Sequence, residues 1–305
     1  MEPRHLELLR DLSERGSITA VAAATYRTPS AVSQQLRTAE RQSGTRLVEP
    51  AGRGVRLTDA GRLLAEGGAE VAEAIARVQA RLDRLVHAPL GEVSLGTLPS
   101  GGEALLPWLL ADPGLAGISL AITDFDVSEA DFAARARDHD IVIGHQPART
   151  PQPRLHPTST WVLAREPLDV ALPAGHPLAA HASVTAEQVV GEPWIGVPVG
   201  YPFDAVRLAI EDATGRPMTV AQRLRDNRMV EALVAAGMGL AVLPRFTTRD
   251  RAGLVTRPLL DVPAARYLVA LARPDRAERA ATAAVLGALG RAGRRLEDAD
   301  PGVPS

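Results

Sequence analysis

The stretch that decides the fold is residues 16–61, GSITAVAAATYRTPSAVSQQLRTAERQSGTRLVEPAGRGVRLTDAG. Within it, residues 28–40 predict a helix with Thr28 as its cap and Pro29 in its first turn. At 3.6 residues per turn, Val32, Leu36 and Ala39 form an apolar face. The opposite face is small, polar and basic, and it comprises Ser30, Ser33, Gln34, Arg37 and Arg41. This face is therefore free to contact a partner.

The flanking segments predict the rest of a small domain. A short amphipathic helix at 5–15 and an alanine-rich helix at 18–26, capped by Ser17, precede this segment. Two short strands, 46–48 and 55–57, follow it, joined by a glycine-rich turn that carries Arg53. Three helices and a hairpin predict a winged helix-turn-helix, whose third helix enters the major groove of DNA. Hydroxyl, amide and guanidinium groups suit base edges and phosphates.

Basic residues are concentrated around the third helix. The 305-residue chain has a formal net charge of −2, and all 34 of its basic residues are arginine. Residues 27–56 contain six arginines against only Glu40 and Glu49. A local basic patch on a weakly acidic chain favours a polyanion-binding module attached to another domain.

Composition argues against several classes of protein. The absence of cysteine excludes disulfides, thiolate zinc sites and cysteine nucleophiles. No apolar run is long enough to span a membrane and the first residues are charged, so we expect a cytoplasmic protein. The histidines form no zinc-protease pattern, and no phosphate-binding glycine loop or nucleophile elbow occurs. We therefore predict no metal, no cofactor and no catalytic residue.

Residues 59–88 are predicted to form one long helix with an apolar stripe. Apolar residues recur in steps of three and four along a helix of about 40 Å, at 1.5 Å per residue. A single surface helix packed on one side would show the same stripe, and this alternative stays open. We expect a dimerisation helix, whose seam comprises Leu64, Val71, Ile75, Val78 and Leu82.

The rest of the chain alternates predicted strands and helices, which favours an α/β domain with parallel sheets. Its length suits two lobes, lobe I at 89–163 with 268–297 and lobe II at 164–267, followed by a flexible tail at 298–305. Strands are predicted at 92–97, 117–123, 140–144, 168–172, 194–197, 219–223, 239–242 and 266–272.

With these motifs in place, the chain resembles the LysR-type transcriptional regulators. Residues 16–61 carry the resemblance most specifically, and EVSLGTLPSGGEALLPWLL, AGHPLA and VEALVAAGMGLAVLP extend it. It implies an α/β multidomain protein: a winged helix-turn-helix at 1–58, a dimerising linker helix at 59–88, and a two-lobed effector domain at 89–297 similar to periplasmic solute-binding proteins. The implied partners are double-stranded DNA, a small-molecule effector, RNA polymerase, and further copies of the chain in a homodimer or homotetramer.

The resemblance also implies DNA-binding positions. Arg53 on the wing is the candidate for the minor groove. Thr25 and Ala39 stand where the family usually has leucine, and Pro50 stands where it usually has arginine. We expect Thr25 and Ala39 to shrink the core of the small domain, and Pro50 to remove a phosphate contact. The implied base-reading residues are Pro29, Ser30, Ser33, Gln34 and Arg37.

The effector is expected at turns between strands and helices, where free backbone N–H groups suit an anion. In TLPSGGE, residues 97–103, Ser100 and Gly101 match a position where the family commonly holds a ligand. The same SGGE fits a capping box of Ser100 with Glu103, and both interpretations stay open. The predicted effector-binding residues are Pro99, Ser100, Gly101, Thr123, Gly144, Gly200, Tyr201 and Asn227.

The sequence therefore predicts a DNA-binding transcriptional regulator modulated by a small molecule bound between two lobes. The nearest alternative is a constitutive DNA-binding protein that ignores metabolites. A solute-binding protein would leave the first 88 residues without a role. An enzyme is the remaining alternative, but the sequence contains no recognisable catalytic motif.

Overall fold

The computed structural model describes residues 1–52, 54–86, 89–125, 132–149, 158–199, 201, 203–248 and 251–300. The chain divides into two compact units. Unit 1 is Met1–Leu90 with Arg273–Ala283, and unit 2 is Gly91–Ala272 with Ala284–Ser305. Within the described part of the chain, no helix is both long enough and apolar enough for a membrane span.

Unit 1 begins with the predicted three helices, hairpin and long helix. Its elements are α1 Pro3–Arg15, α2 Ile18–Ala24, α3 Pro29–Ser43, β1 Val48–Ala51, β2 Gly54–Leu57 and α4 Asp59–Val86. The predicted caps are confirmed, since Ser17 accepts a hydrogen bond from the N–H of Ala20 and Thr28 from that of Ala31. The second helix is shorter than predicted, because Tyr26 leaves the right-handed helical region with φ 53°.

A small apolar core holds unit 1 together. Val32, Leu36 and Ala39 of α3 are buried against leucines of α1, which confirms the predicted apolar face. The first strand begins at Val48, two residues later than predicted. Leu47 is instead buried in the core, and its carbonyl accepts the N–H of Thr58 at 3.0 Å.

Unit 2 contains the remaining strands and most remaining helices. Its strands are β3 Gly91–Thr97, β4 Ile118–Asp124, β5 Ile141–Gln146, β6 Ser159–Pro173, β7 Pro193–Gly196, β8 Thr219–Arg223, β9 Leu240–Pro244, β10 Leu254–Arg257 and β11 Ala265–Ala272. The helices that follow α4 in the chain are α5 Pro99–Leu110, α6 Phe132–Arg135, α7 Ala186–Val189, α8 Asp204–Thr214, α9 Asn227–Ala235, α10 Pro274–Ala277 and α11 Ala280–Ala299. Helix α10 belongs to unit 1, and α11 continues from unit 1 into unit 2.

The sheet of unit 2 is mixed, so the expectation of parallel sheets is wrong in part. Its strand order is β4-β3-β5-β11-β6-β9-β7-β8, with β10 paired to β6. Strand β3 is parallel to β4 and β5, and β7 is parallel to β8 and β9. The pairs that involve β6 or β11 are antiparallel. Strands β9, β10 and β11 all run opposite to β6, and β11 runs opposite to β5, because these strands pair with neighbours distant in the chain and not through successive strand–helix–strand crossovers.

Strand β6 joins the two halves of this sheet. Its first half pairs with β11 and its second half with β9 and β10. Separate buried clusters lie on the two halves, one around Phe132 and Val142 and another around Trp194 and Ile210. This arrangement suits two lobes, whose boundaries stay a prediction. Helix α11 continues to Ala299, past the predicted start of the tail, and residues 301–305 lie outside the described residues.

Candidate nucleic-acid interface and effector cavity

Helix α3 turns its polar face away from the core of unit 1. Pro29, Ser30, Gln34 and Arg37 are exposed, and Ser33 is half-buried. These five residues therefore lie on one accessible surface of unit 1, as the helical period predicts.

Charge on this surface is almost entirely positive. The one acid of α3, Glu40, accepts the backbone N–H of Leu47 at 3.0 Å and so fastens the loop after the helix. A concave surface next to it is lined by Gln34 together with the arginines Arg37, Arg41 and Arg46. Sequence reasoning missed Arg46 as a site residue, although its place two residues after the turn at Gly44 was a signal. A phosphate backbone fits such a surface.

The described part of the hairpin contributes less unpaired positive charge than its sequence suggests. Arg56 of β2 donates to Glu49 of β1 at 2.6 Å, so this pair is internally neutralised. Pro50 is exposed and pairs with Val55 in the ladder. Arg53, the predicted minor-groove residue, lies outside the described residues, and its role stays a prediction.

The predicted seam of α4 is exposed over most of its length. Exposure is 37% for Val71, 56% for Ile75, 67% for Val78 and 52% for Leu82. Leu64 differs, because it is half-buried and packs against the core of unit 1. Apolar surface of this extent along one helix face is typical of a helix that pairs with another.

Unit 2 contains a cavity of about 270 Å³ between the start of α5 and the start of α9. Four of the predicted effector residues line it: Pro99, Ser100, Tyr201 and Asn227. The other lining residues are Leu98, Glu103, Phe132, His145, Val197, Phe203, Arg225, Asp226, Arg228 and Arg266. The cavity therefore combines aromatic walls with several cationic groups.

Three predicted effector residues do not line this cavity. Gly144 lies against the ring of Phe132, and Gly101 packs beneath the helix start against Ile143. Thr123 is exposed near the end of the edge strand β4. Gly200 lies outside the described residues. The two described glycines serve close packing, which the sequence pattern could not distinguish from ligand contact.

Ser100 is not a helix cap. The cap of α5 is Leu98, which places Ser100 at the second helical position, and its hydroxyl accepts a hydrogen bond from Arg266 Nη2 at 2.9 Å. Glu103 instead accepts from Arg228. The capping-box interpretation is therefore wrong, and the Ser100 hydroxyl hydrogen is free to point into the cavity.

The floor of the cavity contains a buried ion pair. Arg266 is 2% exposed and donates from Nε to Glu166 Oε2 at 2.6 Å. The other carboxylate oxygen of Glu166 accepts the N–H of Phe246 at 2.9 Å. Burial raises the pKa of Glu166, against the lowering effect of the Arg266 charge. Guanidinium, carboxylate and hydroxyl thus form a fixed polar floor.

His145 is a buried side chain of this cavity. It is 4% exposed, and its Nδ1 has no hydrogen-bond partner among the described residues. Burial, and then the charge of Arg266, hold the pKa of His145 well below its ordinary value of 6.5, so the ring is neutral at pH 7. A buried polar atom of this kind calls for an explanation. A ligand atom in the cavity would supply the missing hydrogen bond.

Three charged residues within residues 225–228 lie at the rim of the cavity, namely Arg225, Asp226 and Arg228. Arg228 is held by Glu103 and by Glu231, the latter at 2.7 Å. Asp226 caps α9 through the N–H of Met229 at 2.9 Å. The guanidinium of Arg225 lies 5.1 Å from the centre of the Tyr201 ring. Because the carboxylates here serve Arg228 and the helix cap, Arg225 keeps a charge that suits an anion.

Comparison with known proteins identifies the families of the two domains. The model of the bacterial regulatory helix-turn-helix protein, lysR family, matches residues 3–62, and that of the LysR substrate binding domain matches residues 87–294. The transcriptional activator protein LysR of Escherichia coli is 30% identical over 290 residues, covering 89% of this chain and 86% of that protein. The regulator CbbR of Sinorhizobium medicae is 25% identical, covering 90% and 88%.

Solved structures agree on the fold. A full-length OxyR variant from Pseudomonas aeruginosa superposes with a TM-score of 0.66 at 19% identity, covering 96% of this chain and 97% of that one. Full-length BenM gives a TM-score of 0.55 at 20% identity, covering 100% of both chains. The chain belongs to the LysR family of DNA-binding transcriptional regulators, which combine a helix-turn-helix with an effector-binding domain.

Proposed function

We propose that α3 lies in the major groove of its operator and that Gln34 makes the principal base contact. The observation that carries this proposal is the outward face of α3, where Gln34 and Arg37 are exposed and the helix's only acid is used internally. Glutamine forms a bidentate hydrogen-bonded pair with adenine, which a phosphate contact does not. Ser30 and Ser33 flank it, and Arg53 extends the contact to the minor groove.

The replacement Gln34→Ala tests this proposal. Binding of the full chain to the best duplex recovered from a random-sequence library should weaken by about 1–3 kcal/mol, with little change on a scrambled duplex. Gln42→Ala is the matched control, because Gln42 is exposed on the last turn of the same helix. Equal weakening on both duplexes by Gln34→Ala would make α3 an anchor and would contradict the proposal.

We also propose that the cavity of unit 2 binds a small anionic effector. The Nδ1 of His145, which has no partner among the described residues, the exposed guanidinium of Arg225 and the Ser100 hydroxyl all border the same cavity. The backbone N–H groups of the first turn of α5 add further donors. A solved neighbour, the regulatory domain of Synechocystis CcmR, is described as a complex with 2-PG. It has a TM-score of 0.57 at 17% identity, covering 67% of this chain and 98% of that one.

Melting curves of the full chain with acetate, phenylacetate and inorganic phosphate test this second proposal. A ligand that binds only the folded chain stabilises it by RT ln(1 + L/Kd), where L is the ligand concentration, so the melting temperature rises with ligand concentration and with affinity. We expect phenylacetate to stabilise more than acetate, because Phe132, Tyr201 and Phe203 line the cavity. No shift with any of these probes would favour the constitutive regulator instead.

We propose that the chain is a regulator and not an enzyme, acts in the cytoplasm, pairs through α4 into a homodimer or homotetramer, and contacts RNA polymerase at its promoters. Among the described residues no cluster of three potential metal ligands occurs.

A further inference from the structure

The turn between α2 and α3 has an unusual backbone. The N–H of Arg27 donates to the carbonyl of Ala22 at 2.8 Å, and that of Tyr26 to the carbonyl of Ala23 at 3.4 Å. These two bonds define a Schellman ending, in which the residue after the cap adopts the left-handed conformation. Here that residue is Tyr26, with φ 53°.

Other helices of this chain use glycine at the equivalent position. Gly16, Gly44 and Gly215 directly follow helices α1, α3 and α8, with φ between 63° and 70°. Within the described ranges, Tyr26 is the one residue other than glycine with positive φ. A residue with a β-carbon is strained in the left-handed backbone conformation, which glycine and asparagine adopt more readily. Tyrosine at this turn therefore costs stability that the sequence avoids elsewhere.

Packing within unit 1 does not offset this strain. The Tyr26 side chain is 99% exposed, so its ring buries no apolar surface and adds nothing to the core. A large aromatic side chain held outward by a strained backbone calls for a function outside the folded chain.

The surroundings of Tyr26 suit a polyanion. Residues 15–39 contain no acid and include Arg15, Arg27 and Arg37. Arg27 and Thr28 are exposed beside it, and α3 begins three residues after it, at Pro29. If α3 lies in the major groove, this turn lies beside the strand that borders the groove, where tyrosine hydroxyls commonly bind phosphate.

Resting on the proposed role of α3, we propose that Tyr26 donates its phenolic hydroxyl to a backbone phosphate of the operator. The strained turn holds the ring in the outward position before DNA arrives. The contact positions the duplex and reads no sequence.

Two replacements separate the contribution of the Tyr26 hydroxyl to DNA binding from the effect of the strained backbone. Tyr26→Phe keeps the strained turn and the ring, whereas Tyr26→Asn removes the ring and relieves the strain. We expect both variants of the full chain to bind the best duplex from the random-sequence library about 3- to 10-fold more weakly, with the same loss on a scrambled duplex. The salt dependence should stay unchanged, because tyrosine carries no charge to release a counterion. Only Tyr26→Asn should also raise the melting temperature.

The control is Tyr267→Phe, which removes a phenol from β11 in unit 2 and should leave DNA binding unchanged. Parent-like binding by Tyr26→Phe would overturn the hydroxyl contact, even if Gln34→Ala behaves as expected. A loss confined to the best duplex would also overturn it, since it would make Tyr26 a base reader. If Gln34→Ala weakened binding to both duplexes equally, the assignment of α3 to the major groove would be wrong. If Tyr26→Phe also weakened binding to both duplexes, the phosphate contact would still be supported.

Discussion

Ser100 depends on a partner that is distant in the sequence. Its hydroxyl accepts from Arg266, 166 residues away, and both side chains are buried at the cavity floor. Ser100→Ala should lower the free energy of unfolding by about 1–2 kcal/mol, because a buried donor loses its acceptor. It should also weaken the stabilisation by the anion that shifts the parent's melting temperature most.

Ser119→Ala is the control for this change. Ser119 is exposed on the edge strand β4, away from the cavity, and should affect neither property. Equal anion affinity of Ser100→Ala and the parent would assign Ser100 a structural role only.

Replacement of His145 should change stability in the opposite direction to replacement of Ser100, although both should reduce anion binding. Since the Nδ1 of His145 is buried without a partner in the described part of the chain, His145→Phe should raise the free energy of unfolding, by about 1 kcal/mol, while it reduces anion binding. Urea unfolding and melting-temperature shifts measure the two effects on the same protein. A variant that is less stable and still binds the anion would contradict a ligand-facing role for this ring.

The same histidine predicts a pH dependence. Its pKa in the folded chain is below 6.5, so below that pH the unfolded chain takes up a proton that the folded chain does not. The loss of stability linked to this protonation is therefore absent above pH 6.5 and grows as the pH falls, by at most about 1.4 kcal/mol per pH unit. Urea unfolding of parent and His145→Phe near pH 7.5 and near pH 5.5, both about one unit from that value, should show the smaller decline in the variant. Identical declines would contradict the buried neutral ring.

Single residues also mark the limit of sequence reasoning about the sites. The polar face of α3 follows from helical periodicity, and the structure exposes it as expected. The cavity floor could not be predicted, because Glu166 and Arg266 are 100 positions apart and meet only across paired strands. A charge inside an otherwise apolar strand was the available signal at Arg266.

At the scale of elements, α4 carries the prediction about assembly. The double replacement Ile75→Asp with Val78→Asp should dissociate the oligomer, because the helix seam would then bury unpaired charge. Light scattering at matched concentration measures the molar mass. Arg77→Asp is the control, since Arg77 lies about 200° around the helix from Ile75 and is exposed. An unchanged mass for the double variant would exclude α4 from dimerisation.

The bounds of some helices and strands follow from the sequence more closely than those of others. Short helices with recognisable caps, such as α3, appear where Thr28 and Pro29 place them. Strand β6 is three times longer than the predicted 168–172, because Arg165 and Glu166 interrupt its apolar pattern. Glu166 is tolerated there by its pairing with Arg266, which no local window contains.

At the scale of the whole molecule, the chain joins a DNA-binding unit to an effector-binding unit, and each has its own core. The division was predictable from the change of pattern near residue 90. The mixed sheet was not, because strand direction depends on connections that carry no compositional signal.

Mapping the genomic DNA that the purified chain occupies tests the central claim most directly. Sequence recognition by α3 predicts discrete sites that share a sequence motif, and it predicts that Gln34→Ala still binds DNA but loses those sites. Uniform occupancy by the parent, or the same discrete sites for parent and Gln34→Ala, would contradict sequence recognition by α3.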